Sequence, residues 1–127
     1  MKLNSIDTTL YRIPLPVPIQ AASTSVMKGF DMVMVRVTDN DGNTGCGYTV
    51  MHEGFGGSVL TTVQENFTPW TLQQDPRRIE WIWRNLWRTH HYVGRGGIIA
   101  FAIAALDTAL WDLRGNTLGE PLWRLLG

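Results

Sequence analysis

The side chains able to do chemistry are few and scattered. The three histidines, His52, His90 and His91, lack the spacing that places two imidazoles on one helix face for a metal ion, and the adjacent pair must point to different sides. The only cysteine, Cys46, stands between Gly45 and Gly47 with no basic neighbour to stabilise a thiolate, so it is expected to be a buried structural thiol and not a nucleophile. Residues 39–43 look superficially like a calcium loop, yet counting back from Gly42 puts Val37 at the first ligand position and no bidentate glutamate follows, so the segment reads as a turn. The glycines never form the patterns that cradle a dinucleotide or a nucleoside triphosphate. Arg77, Arg78, Arg84 and Arg88 are expected to solvate a helix face. Asp107 interrupts an apolar segment; a carboxylate there is costly unless it caps, pairs or hydrogen-bonds, and its expected role is structural. These residue types and spacings assemble no catalytic constellation by themselves.

The elements that would have to position such groups are set by composition and pattern. Over 127 residues, 11 Lys and Arg balance 11 Asp and Glu, which gives no electrostatic case for nucleic acid or anionic lipid. One cysteine excludes an internal disulfide framework and fits a reducing compartment. The N-terminus lacks the apolar run of a secretory signal, and the longest apolar stretch, residues 98–106, is half of what a bilayer demands. A cytoplasmic chain without a membrane anchor is expected. Six tryptophans, five of them after residue 80, require a large packing surface in the second half.

The first half alternates as strands do. Ile6, Thr8 and Leu10 form one set, and Val33, Val35 and Val37 alternate with Met32, Met34 and Arg36. Asp41-Gly42 marks a hairpin before a third strand around residues 44–48. The reading is an α+β fold: a three-stranded antiparallel meander followed by a helical bundle. Pro14, Pro16 and Pro18 lead into a long first connection, residues 16–30, and residues 50–57 form a second irregular segment. Both leave the sheet at the same end. Helices follow: one over residues 58–67 ended by Pro69, one capped by Asp75 with Pro76 at its first position, and a long one from near Gly97 to a cap at Gly115. In the last, Ile99, Ile103, Leu106, Leu110 and Leu113 form one apolar stripe, while Ala100, Ala104 and Trp111 form another, so this helix is expected to be sandwiched against a much larger body.

The run Ile103-Ala104-Ala105-Leu106-Asp107-Thr108-Ala109-Leu110-Trp111-Asp112-Leu113-Arg114-Gly115, continued by Leu118-Gly119-Glu120-Pro121-Leu122 and Leu125-Leu126-Gly127, resembles the signature that closes the N-terminal domain of the mandelate racemase and muconate lactonizing branch of the enolase superfamily. The three strands, the Asp-Gly hairpin and the Gly-x-Gly-Tyr strand end fall in the same order. Residues 93–97 look closest to acid-sugar dehydratases and epimerases.

The resemblance implies a capping domain, residues 1–117, with residues 118–127 beginning the linker into a (β/α)₈ barrel that is absent from this chain. It implies an enzyme that abstracts the proton α to a carboxylate, with Mg²⁺ and the bases held by the barrel, and it implies inactivity for this chain alone. The partners implied are the barrel, a small carboxylate or sugar-acid substrate, and further copies in a homo-oligomer. The two loops would then contact the distal part of the substrate, and the side chains assigned to that contact are Ser23, Lys28, His52 and Glu53. Acid-sugar dehydratases often carry a basic pair in the second loop; here acidic Glu53 follows His52, which tells against a diacid substrate. Asp107 and Trp111 are assigned to the domain junction. The competing reading is a free-standing module that docks a protein partner or ligand without catalysis.

Overall fold

The computed structural model describes residues 1–20 and 26–127. Three strands, β1 (Leu3–Ile19), β2 (Met27–Asp39) and β3 (Thr44–His52), form an antiparallel sheet in the order β1-β2-β3. The α+β meander expected from the alternation is present, and its hairpin closes with Gly42 at φ +86°. There the buried Asp39 accepts the N–H groups of Asp41 and Asn43 and the Asn43 side-chain amide at 2.8–2.9 Å. Burial pushes the Asp39 carboxyl up, but these hydrogen bonds outweigh it and hold the group below its ordinary range.

The first connection differs from expectation. β1 continues through Pro14, Pro16 and Pro18 to Ile19, which pairs with Met27, so residues 16–19 and 27–30 of that segment are strand. β1 is an edge strand, and a missing N–H is tolerated where a ladder partner is present on one side only.

The helical half also departs in its boundaries. α1 (Gly56–Thr61) runs into a π-helical segment (Thr62–Phe67) and then α2 (Thr68–Thr71), so Pro69 does not end the helix. Val59, Val63, Phe67 and Thr71 are all buried at four-residue spacing. In an α-helix each such step rotates about 40° off a common face, and the wider π turn restores the alignment. Pro69 falls in the first turn of α2, where its missing N–H has no helical acceptor. Asp75 and Pro76 form a turn, not a helix start; Arg77 donates to Asp75 through its guanidinium and backbone, holding that carboxyl at about 2, and α3 (Ile79–Thr89) begins only at Ile79. α4 spans Ile98–Leu118 and ends at Gly119 (φ +66°); Gly115 is buried inside the helix, beneath Glu120 and Leu122 of the segment leading into α5 (Leu122–Leu126).

α4 lies on the helix-facing side of the sheet, chiefly against β3. A Cβ at Gly47 would fall on the backbone of Ala105 and Ala109, and one at Gly45 on the backbone of Ala109 and Leu113. The same alternation that buries these glycines turns Cys46 outward, so the thiol is exposed, contrary to the buried role expected of it. On its opposite side α4 packs against α1, the π-helical segment and α3. The sandwich expected of this helix is therefore built largely by the chain's own elements, and a narrow strip at Phe101, Ala104 and Thr108 stays exposed.

The larger uncovered apolar area is the sheet's outer face. Across the three strands, Tyr11, Met32 and Val50 align, as do Ile13, Phe30 and His52, and Thr9, Met34 and Tyr48. Tyr11, Ile13, Tyr48 and Val50 are exposed. Such a patch favours self-association of the 127-residue chain. Sedimentation should show reversible association and an apolar dye should bind, both weakened by Tyr48→Ser with Val50→Thr; an unassociated, dye-silent chain would refute this. Gly47→Ala should lower stability by about 3 kcal/mol, because neither backbone can give way, and denaturant unfolding measures it.

Candidate functional site

β1 ends, β2 begins and β3 ends at one edge of the sheet, with Ile13 opposite Phe30 and Phe30 opposite His52. At this edge lies an open cleft of about 600 Å³, lined by Arg12, Ile13, Pro14, Lys28, Gly29, Phe30, Asp31, Glu53 and Gly54. Of the four residues assigned from sequence, Lys28 and Glu53 meet here: the Lys28 backbone N–H donates to Glu53 Oε1 at 3.3 Å. Gly29 lets the strands and Glu53 approach, since a Cβ there would come within 2.9 Å of the Ile13 carbonyl oxygen and 3.2 Å of Glu53 Oε2. His52 is not in the cleft lining. It sits on the outer-face side of β3, with its ring edge-on to Phe55 at 6.5 Å and Nδ1 3.3 Å from its neighbour's carbonyl oxygen. Ser23 lies outside the described residues.

Two residues that the sequence reading passed over complete the site. Asp31 is 1% exposed, and its Oδ2 accepts the N–H groups of Gly54 at 2.9 Å and Gly56 at 2.8 Å. This carboxylate fastens the segment after β3 to β2 and satisfies the entry of α1. Its Oδ1 has no hydrogen-bond partner among the described residues; Arg12 Nε stands 4.0 Å away. The Arg12 side chain is 80% exposed. The signal for both was available: Asp31 shares the inward parity of Val33, Val35 and Val37, and Arg12 that of Thr8 and Leu10.

The cleft thus offers two cations, Arg12 and Lys28, facing two carboxylates, Asp31 and Glu53. That set suits an oxygen-rich small molecule that both donates and accepts. It does not suit Mg²⁺: one Asp31 oxygen is taken by two amides, and the neighbouring cations oppose a divalent ion. Among the described residues no group of three or more His, Cys, Asp or Glu is placed to hold a metal ion. No helix of the described chain is long and apolar enough to cross a membrane.

A second polar locus lies between α3 and α4, where Glu80, Trp83, Arg84, Asp107 and Trp111 line a cleft. Asp107 has no hydrogen-bond or ion-pair partner among the described residues, so the cap or pair expected of it is not formed there. Burial raises its carboxyl to about 6. The neighbouring Asp112 does the tying instead, accepting the Cys46 N–H at 2.8 Å and the Asn116 side-chain amide at 3.2 Å.

The profile of the mandelate racemase / muconate lactonizing enzyme N-terminal domain matches residues 5–127. The 3,6-anhydro-alpha-L-galactonate cycloisomerase of Streptomyces coelicolor is 42% identical over 125 residues, covering 98% of this chain and 35% of that protein. The D-galactonate dehydratase of Xanthomonas euvesicatoria pv. vesicatoria is 41% identical over 95 residues, 75% of this chain and 24% of that protein. Among solved structures, a racemase from Streptomyces coelicolor with bound magnesium superposes with a TM-score of 0.93 at 42% identity over 98% of this chain and 35% of that one. An L-talarate/galactarate dehydratase from Salmonella typhimurium, liganded with Mg and L-lyxarohydroxamate, gives 0.88 at 25% identity over 99% of this chain and 33% of that one. The chain therefore spans between a quarter and about a third of the length of these relatives.

For Asp107, a folded-state value of about 6 against an ordinary 3.8 means the folded protein holds the extra proton between those limits. Stability should fall as pH rises through that window and level off above it, and Asp107→Asn should flatten the profile and be the more stable form at pH 7.5. Denaturant unfolding at pH 4.5, 6 and 7.5 gives the comparison; a wild-type stability that rises over this range would contradict it.

Proposed function

The chain belongs to the mandelate racemase / muconate lactonizing enzyme family as its N-terminal domain, and on that premise we propose that it caps the active site of a longer enzyme acting on a sugar acid. The observation that carries this reading is the cleft at the loop-bearing edge, where Lys28 and Glu53 meet above a floor made by the buried Asp31. Behind the cleft lies the apolar cluster that joins sheet and helices. Such a division suits a domain that supplies contacts and not reacting groups.

In this reading residues 1–117 are the cap and residues 118–127 lead into a barrel domain, which holds the Mg²⁺ and the bases. When bound, Mg²⁺ supplies charge stabilisation to a carboxylate whose α-carbon loses a proton. The chain's own residues do different work. Lys28 donates to a substrate oxygen at the end away from the α-carbon, and Glu53 accepts a hydroxyl. The segment after β3, pinned by Asp31, holds Glu53 in place and covers the bound molecule from water. His52, outside the cleft, contacts ligand only when the adjoining segment closes. The names of the relatives support a monocarboxylic aldonate or its anhydro form, as in D-galactonate or 3,6-anhydro-alpha-L-galactonate. The reaction is placed in the cytoplasm, in a homo-oligomer.

The test is α-proton exchange in D₂O by the full-length protein. With Mg²⁺ and a panel of aldonates and aldarates, one or more acids should exchange; without Mg²⁺, or with residues 1–127 alone, none should. Lys28→Met should raise KM for the best acid about tenfold, the scale of one charge-assisted hydrogen bond, and leave kcat nearly unchanged. Exchange by residues 1–127 alone, or absence of exchange for every acid, would reject the reading.

A further inference from the structure

Asp31 Oδ1 is a buried carboxylate oxygen facing the cleft with no donor among the described residues, and the nearest is Arg12 Nε at 4.0 Å. A buried carboxylate oxygen is unfavourable without a donor, so the pair is poised to close. Arg12 has five N–H donors in a planar fork. If Nε turns to Asp31, the two terminal nitrogens remain free, and the guanidinium that bears them is exposed over the cleft. Asp31 itself cannot wander, because its other oxygen is held by the Gly54 and Gly56 amides and Gly56 packs against its Cβ.

We propose that Arg12, steered by Asp31, is the specificity-determining donor of this cleft, binding the oxygen atoms at the end of a hydroxy acid remote from its reacting carbon. The inference rests on the capping reading above and adds two residues to it. Arg12 touches the ligand; Asp31 is a positioning residue that acts through Arg12. Arg12 also supplies a cation that the segment after β3, with Glu53, does not. The ligand chemistry is a pair of acceptor oxygens, which either a terminal carboxylate or adjacent hydroxyls provide.

The experiment is steady-state kinetics of the full-length enzyme on its best aldonate and on galactarate. Arg12→Met should raise KM about tenfold with kcat within about threefold, and Arg12→Lys should recover part of the loss. Asp31→Asn retains an oxygen for the two glycine amides but presents an amide to Arg12. It should raise KM less, and the double variant should be no worse than Arg12→Met alone, since the two residues act as one unit. A larger loss on galactarate assigns the carboxylate, and equal losses assign hydroxyls; both support the proposal. An Arg12→Met KM within about twofold of wild type, or effects that multiply in the double variant, would overturn it. If Lys28→Met raises KM while Arg12→Met does not, the capping reading stands and this inference falls; if neither does, both fall. Thermal melts of each variant confirm that KM is read on folded protein, and Arg12→Lys, which keeps a cation beside Asp31, keeps the result independent of whether Arg12→Met or Asp31→Asn folds.

Discussion

The close approach of α4 to β3 is the constraint on which the arrangement depends. Two missing side chains, at Gly45 and Gly47, let helix backbone lie directly on strand backbone along Ala105, Ala109 and Leu113. The contact sets the height of the helix above the sheet and the register between them, and the Asp112 carboxylate locks that register by accepting the Cys46 N–H. With the sheet fixed against α4, the ends of β1 and β3 and the start of β2 have one place to go. The cleft is a consequence of that geometry: its lining comes from three separated stretches of sequence, Arg12 to Pro14, Lys28 to Asp31, and Glu53 with Gly54.

Much of this was legible from alternation and turn chemistry. Val33, Val35 and Val37 gave the inward face of β2, and Asp41-Gly42 gave the hairpin, because both signals are local. What failed was what local signals cannot carry. Pro14, Pro16 and Pro18 read as the end of a strand, yet an edge position tolerates them. Pro69 read as the end of a helix, yet a π turn before it makes its missing N–H harmless. Gly115 read as a cap when its lack of a side chain serves packing under Glu120 and Leu122. Cys46 read as buried from its glycine neighbours, whereas those glycines take the inward positions themselves and alternation turns the thiol out. Each error assigns a local cause to a residue whose reason is a tertiary neighbour.

The site shows the same limit in a different form. Lys28 and Glu53 were reachable because charged residues in irregular segments attract notice, and their meeting follows from the topology. Asp31 was not, although its parity with three buried valines made it the one acid on the inward face of β2's central run. A carboxylate there must find donors, and the donors it finds are the amides of Gly54 and Gly56, 23 and 25 residues later in the chain. That separation is why a short window shows the burial of Asp31 but not its partners, and so not its part in shaping the cleft.

Burying a charge at the rim of a cleft has a further consequence for how such a domain can change. The core behind α4 is apolar and closely packed, so substitutions there act on stability throughout the domain. At the loop-bearing edge, in contrast, one carboxylate anchors the backbone of the segment after β3, while side chains such as Glu53 project from that segment outside the apolar core. Glu53 or Lys28 can be exchanged without disturbing the anchor, because Asp31 holds main-chain amides whose identity does not depend on the side chain. Recognition can therefore vary while the fold stays fixed, and the residue least free to vary at the site is the buried one.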